Sequence, residues 1–337
     1  MRNRSQRWMT LVVLTVLARL ASAAEPAPDW VLVTKAAWQA RDSQAEFAYR
    51  DRMWIMGGWF DSHHAPPRDV WSSPDGRTWT RLERPVPWVH SDLPMGLVFR
   101  DRMWVMGGWY NGRLPGHSAS NQVWSTTDGQ DWRQETAAAG WSPRLAAGLV
   151  EFNGRMWILG GMENYYFGDA RNLKNDVWSS ADGRTWRRET AAAGWSPRAY
   201  HQAAVLDGRI YVLGGGNYVP EYQAHNDVWS SADGVHWRCE TTSAPWHARL
   251  WFSAAVYRDR MWILGGWSNN PSVNWGDVWH STDGKNWHAL ETKTHWKERH
   301  EHSAFVFQDK LWIAGGHARP LSNEVWSLYL PPKFFAK

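Results

Sequence analysis

Short apolar runs of four residues, each closed by a glycine pair, punctuate an otherwise polar chain at positions 53–56, 103–106, 156–159, 210–213, 261–264 and 311–314. Runs this short, bounded by glycine, read as buried strands rather than helices. A second apolar stretch precedes each across a tight turn, as in Ala203–Leu206, Asp207-Gly208 and Ile210–Leu213. After a variable stretch come Val-Trp, then Asp-Gly, then another Trp. Each unit therefore resolves into four strands, a to d, with Val-Trp on strand c and Asp-Gly at the c–d turn. Asp-Gly begins at Asp75, Asp128, Asp182, Asp233 and Asp283. It is a strong hairpin signal because both turn positions tolerate positive φ.

The first glycines of the pairs, Gly57, Gly107, Gly160, Gly214, Gly265 and Gly315, are spaced 50, 53, 54, 51 and 50 residues apart. A period near 50 with four strands per unit predicts an all-β, six-bladed propeller. Duplication is directly visible: Trp132–Arg144 and Trp186–Arg198 differ only at Gln134 and Arg188. No Asp-Gly follows Val325-Trp326, but Trp30 and Trp38 stand where other blades carry the strand-d Trp and a Trp nine residues on. Blade six is thus expected to combine about 299–330 with 29–38, which leaves no sheet edge open. Residues 25–337 then form a single domain.

Most of the 29 tryptophans fall in four repeated columns: before Gly-Gly, on strand c, on strand d, and nine residues beyond. Large flat side chains fill the wedges between blades, so these columns are expected to be core, Trp178 among them. Trp59, Trp109, Trp251, Trp267 and Trp275 lie outside the columns and map to the face that carries the variable b–c loops and the d-to-a crossings. They are expected as exposed aromatic platforms, because variable loops on a rigid scaffold are where binding residues sit.

Polar residues gather at the same mouth. Each d-to-a crossing places Arg41, Ser91, Arg144, Arg198, Arg249 or Arg299 three residues after its Trp. Guanidinium groups there would clamp a carboxylate, or else bond backbone carbonyls of the next blade. Non-repeated residues near the opening are Tyr200 and His201, then His300, Glu301 and His302, then His317 and Arg319, with His63 and His64 in blade one's loop. Histidine titrates near neutrality and serves as acid, base or ligand. Strand alternation sends His300 and His302 to one side and Glu301 to the other, an arrangement that does not make a metal site.

Charge and cysteine narrow the classes. Of 37 Lys and Arg against 33 Asp and Glu, four arginines and no acid fall in the first 24 residues, so the remainder balances at 33 against 33. Nothing favours nucleic acid or an anionic membrane as partner. Those 24 residues read as a secretory signal: Arg2, Arg4 and Arg7, an apolar run from Met9 to Leu17, then Ala21-Ser22-Ala23 before a cut near Ala23 or Ala24. The membrane serves only as export route, and the destination is periplasm or medium. The single Cys239 excludes an intramolecular disulfide and a multi-cysteine zinc site.

The Gly-Gly, Val-Trp and downstream Trp columns resemble the kelch and galactose-oxidase central-domain family over about residues 30–330. The resemblance implies the propeller, whereas the copper-radical chemistry of that family needs a Cys–Tyr crosslink and a further C-terminal domain that these residues do not match. Ser73-Pro74-Asp75-Gly76-Arg77-Thr78-Trp79 is similar to the sialidase box but one residue shorter, and reads as a turn. The exported architecture is also similar to that of periplasmic N-acetylneuraminate mutarotase. That resemblance implies Glu301 or a nearby His (His300, His302) as proton carrier, with Arg198 or Arg299 on the sugar carboxylate. The expectation from all this is a cofactor-independent, monomeric propeller that binds a glycan or sugar acid. Trp59, Trp109, Trp251, Trp267, Tyr200, His201, Arg198, Arg249, Arg299 and His317 would hold the ligand. The alternatives are a sugar mutarotase or epimerase, and a scaffold for an extracytoplasmic protein.

Overall fold

The computed structural model describes residues 26–60, 65–110, 118–166 and 171–335. Residues 1–25, on which the secretory-signal expectation falls, and His63 and His64 lie outside them. Six antiparallel four-stranded sheets form the blades. Blade three is representative: Gly148–Phe152, Arg155–Met162, Leu173–Ser180 and Arg187–Thr190. Blade six consists of Ser303–Phe307, Lys310–Ala314 and Glu324–Tyr329, with Asp29–Lys35 as its outer strand. Asp29 pairs with Tyr329 and Lys35 with Glu324, so the N-terminal strand closes the ring.

The tryptophan columns explain how blades adhere. Each strand-d Trp meets, edge to face, the Trp that enters its blade: Trp38–Trp79, Trp88–Trp132, Trp141–Trp186, Trp195–Trp237, Trp246–Trp287 and Trp296–Trp30. The interplanar angles are 82–90° and the centroids 4.7–6.0 Å apart. This is the favoured arrangement of two ring quadrupoles. Trp30 completes the sixth pair.

Each Trp before Gly-Gly donates its indole N–H to the carbonyl five residues earlier, as Trp157 does to Phe152 at 2.9 Å. Its ring then lies against the Asp-Gly turn of the following blade. A Cβ on Gly234 would fall 2.2 Å from Trp157, which is why that turn needs glycine. Trp262 has no such turn to cover it, because blade six carries none. Phe335 covers it instead, with ring centroids 6.0 Å apart and the Arg260 guanidinium 3.8 Å over the Phe335 ring. Phe335→Ala is expected to lower stability by about 1–2 kcal/mol through lost apolar burial and cation–π contact. An unaltered urea midpoint would show the tail to be incidental.

Two local expectations are corrected. At the c–d turns only the glycine has positive φ. The aspartate acts through its side chain, as Asp75 Oδ1 accepts the backbone N–H groups of Arg77 and Thr78 at 2.9 and 2.8 Å. The turns with two successive positive φ values join strands a and b, even where the residues are Arg50 and Asp51. Secondly, the strand-c tryptophans are half-buried rather than core, Trp178 included. Each donates its indole N–H to the side chain two residues earlier, Trp178 to Asp176 at 2.7 Å.

Candidate functional site

The repeated arginines are fully buried, and each is consumed within its own blade. Arg198 donates to Ser196 O at 3.1 Å, to Gly214 O at 2.9 Å and to both oxygens of Asp227 at 2.6 and 2.9 Å. Trp229 fixes the same carboxylate at 2.8 Å. Arg41, Arg144 and Arg249 repeat the pattern with Asp69, Asp176 and Asp277, and Arg299 uses Glu324. The guanidinium beside each of Asp69, Asp176, Asp227 and Asp277 offsets the cost of burying it and holds it below the ordinary carboxylate range. Arg198, Arg249 and Arg299 therefore do not reach the mouth, contrary to their expected role as carboxylate clamps. Blade two supports the structural role: Ser91 replaces the arginine, and Gln122 replaces the acid while still accepting from Trp124 at 3.0 Å. Loss of the cation coincides with loss of the anion.

The glycine pair seats the same crossing. A Cβ on Gly57 would lie 2.3 Å from Ser91 O, and the N–H of Gly58 donates to that oxygen at 2.6 Å. Only glycine allows so close an approach of two backbones.

Two residues beyond each crossing arginine (or Ser91) the backbone turns left-handed: Ser43, Leu93, Ala146, Tyr200, Trp251 and Glu301 have φ of 47–58°. None is glycine, and such conformations cost free energy and cluster at functional sites. The six form a collar around the propeller axis, tied between blades by Ser43 N–H to Glu301 O at 3.1 Å, Leu93 N–H to Ser43 O at 3.1 Å, Tyr200 N–H to Ala146 O at 3.0 Å and Glu301 N–H to Trp251 O at 2.8 Å. The collar separates two cavities. His201, His302, Gln44 and Glu46 line an axial one below it, where burial depresses both histidines to about 3 and raises Glu46 to about 8.

Above the collar lies a mouth of about 340 Å³. It is lined from blades six, one and two by His300, Glu301, His317, Asp42, Ser43 and Asp92, with exposed Arg319 also part of the lining. The remaining wall is aromatic, with Trp59, Trp109, Tyr165, Tyr166, Tyr218, Trp251 and Trp267. This asymmetry has a backbone cause. In blades three to five, strands b and c continue past the glycine pair, as in Met261–Asn269 and Ser272–Ser281. In blades one, two and six, strand b stops at Met56, Met106 and Ala314.

The extended hairpins bring Tyr165, Tyr218 and Trp267 into one cluster. Tyr218 lies 4.9 Å from Trp251 and 5.6 Å from Trp267 between ring centroids. Trp109, Trp251 and Trp267 are only 2, 6 and 6% exposed, so the exposed platforms expected there are packed aromatics that offer the cavity an edge. Trp275 lies apart, stacked on His247 at 4.7 Å.

On the polar side Ser43 Oγ stands 3.2 Å from Asp42 and 3.0 Å from Glu301. One hydroxyl carries one hydrogen, so a further proton on a carboxyl is needed for both contacts to be hydrogen bonds. His317 Nδ1 is 3.3 Å from Asp42, and His300 Nε2 is 3.5 Å from Glu301. The two imidazoles stack at 4.9 Å, and His300 Nδ1 contacts Asn274 at 2.8 Å. Burial pushes Asp42, Asp92 and Glu301 above the ordinary carboxylate range, reinforced for Asp92 by Asp42 and for Glu301 by both aspartates. Burial likewise holds His300 well below the ordinary imidazole value, helped by His317 and Arg319.

The alternation expected for residues 300–302 fails because Glu301 is left-handed and the strand begins only at Ser303. His300 and Glu301 share the mouth, while His302 and His201 fall below the collar. Tyr200 belongs to the collar and to the lower cavity. Sequence reasoning missed Asp42, Asp92, Ser43, Tyr165 and Tyr218. One signal was available for the aspartates. The column just after the crossing arginine reads Asp42, Asp92, Leu145, Ala199, Leu250, His300, polar in three cyclically adjacent blades and apolar in the others. Among the described residues no three His, Cys, Asp or Glu side chains are grouped so as to hold a metal ion.

The kelch motif matches residues 197–230, the span that carries Arg198, its glycine pair and Asp227. With six four-stranded blades, five of them built on the same brace, the chain is a six-bladed β-propeller with a kelch motif in blade four, which supports a kelch-repeat family. That fold points to a binding or scaffold role. No curated protein matches the chain.

Proposed function

We propose that the mouth binds a small polyhydroxylated ligand, a monosaccharide or the end of a glycan. This binding would take place outside the cytoplasm, where the leader-like first 24 residues would direct the chain. The observation that carries the reading is the division of one cavity into an aromatic wall and a carboxyl–imidazole wall. A sugar ring has an apolar face that packs on aromatic carbon and a rim of hydroxyls that hydrogen-bond to carboxyl and imidazole groups. The cavity volume is in the range of small-molecule sites, about 300–1,000 Å³. A sugar acid is not favoured, because Arg198, Arg249 and Arg299 are already paired.

The test is a monosaccharide panel followed by saturation-transfer NMR and calorimetry. At least one sugar should bind, Tyr218→Ala should weaken it tenfold or more, and Trp275→Ala, outside the mouth, should leave it unchanged. Binding indifferent to Tyr218→Ala, or no binding, would sink the reading.

A second reading rests on the paired Asp42–His317 and His300–Glu301 contacts. A protonated carboxyl there would donate to the ring oxygen of a hemiacetal while a base takes the anomeric hydroxyl proton. The C1–O5 bond then opens and recloses on either face. Catalysed anomer exchange of the bound sugar, abolished by Glu301→Gln, would select this reading.

A further inference from the structure

Resting on the sugar-site reading, we infer that the mouth selects ligands carrying a protonated amine, an amino sugar in the first instance. Three carboxyl side chains, Asp42, Asp92 and Glu301, converge on one small cavity. Burying anionic groups together is costly unless a cation compensates them or protons neutralise them. Among the described residues the crossing arginines supply no such cation, since all five are paired elsewhere in their own blades. Of the cavity's own basic groups, Arg319 is exposed, His317 faces Asp42, and His300, which contacts Asn274 through Nδ1 and faces Glu301 through Nε2, is held well below the ordinary imidazole value by burial.

The remaining wall is aromatic, and the faces of Trp and Tyr attract an ammonium through their quadrupoles. Carboxylates opposite aromatic rings suit an ammonium better than a neutral hydroxyl or an anion.

Two further features point to a ligand rather than to internal pairing. Asp92 is 6% exposed; Ser43 and the Leu93 backbone approach its carboxyl, yet its Oδ1 has no hydrogen-bond partner. Trp251, which lines this cavity and the one below the collar, is 6% exposed, and its indole N–H is likewise unpartnered, as are those of column tryptophans such as Trp38 and Trp141. Buried polar atoms are rarely left unpaired. The first asks for a donor and the second for an acceptor. A ligand with an ammonium beside a hydroxyl or ring oxygen supplies both, and a hexosamine has that arrangement on adjacent carbons.

The experiment is calorimetric titration at fixed salt with glucosamine, galactosamine and mannosamine, against their neutral parent hexoses, their N-acetyl forms, the uronic acids, and ethanolamine and choline as amines without a sugar. At least one hexosamine is expected to bind tenfold or more tighter than its neutral parent and its N-acetyl form. Asp92→Asn should lower that affinity at least tenfold and narrow the advantage over the parent. Should Asp92→Asn fail to fold, Glu301→Gln is read in the same way. A neutral hexose, N-acetyl sugar or uronic acid that binds as tightly as the amine overturns this inference and leaves the sugar reading standing. Ethanolamine or choline binding in an Asp92-dependent manner, with no sugar bound, upholds the amine preference and removes the sugar. Silence across the whole panel overturns both.

Discussion

A chain lacking Asp29–Trp38 is expected to lose its cooperative unfolding transition and to aggregate, rather than to fold with reduced stability. The deletion removes the outer strand of blade six, whose register runs from Asp29–Tyr329 to Lys35–Glu324. It also removes Trp30 and Trp38, which are 2 and 1% exposed. Each truncation of a buried Trp costs about 3–5 kcal/mol, and each of the two edge-to-face contacts, with Trp296 and Trp79, adds about 0.5–1.5 kcal/mol. Together these approach the whole stability of an ordinary domain, about 5–15 kcal/mol. The strand Glu324–Tyr329 would then present an unpaired edge, the usual template for aggregation. Urea unfolding and light scattering measure the result, and a peptide covering 26–40 added in trans should restore solubility. A truncated chain with the parent's midpoint would mean that closure of the ring contributes nothing.

The second large effect concerns the arginine brace. Arg198→Ala should destabilise by about 3–5 kcal/mol, as expected when one partner of a buried ion pair is removed and the other stays behind. Asp227 would lose both guanidinium contacts, and the Gly214 carbonyl its donor. The protein itself carries the compensation. In blade two the equivalent positions are Ser91 and Gln122, with Trp124 still donating to Gln122. Arg198→Ser combined with Asp227→Gln should therefore be less destabilising than Arg198→Ala alone by at least about 1 kcal/mol. It retains the Trp229 hydrogen bond and leaves no lone buried charge. Urea midpoints at a common slope measure both variants. A double variant as unstable as the single one would show that the guanidinium contacts to backbone, not charge compensation, hold the crossing.

That brace illustrates how much of the site was legible beforehand. The arginine column is plain in the sequence, and so is the acidic residue before five of the six Val-Trp pairs, but their pairing is not. It requires knowing that strand c folds back beside the crossing within one blade. Read as a ring of free guanidinium groups, the column implied an anionic ligand. Once paired, it leaves a mouth lined by Asp42, Asp92 and Glu301, from which the opposite electrostatic preference is proposed. The tryptophans outside the columns were correctly separated from the repeat, yet their exposure was not predictable. Trp109, Trp251 and Trp267 are covered by Tyr165, Tyr166 and Tyr218 from neighbouring blades.

The repeated framework was settled by the sequence alone: six blades, four strands in each, the glycine pairs, the indole columns and the split of blade six. A repeated unit meets the same neighbour each time, so local pattern and tertiary environment coincide. The mouth was decided by the tertiary structure. Its residues are those in which blades differ, drawn from crossings as far apart as Asp42 and Glu301. Their orientation depends on six left-handed backbones that no glycine marks. Side-chain direction at such positions is set by the collar as a whole, through hydrogen bonds between blades, and no stretch of chain read by itself contains that information.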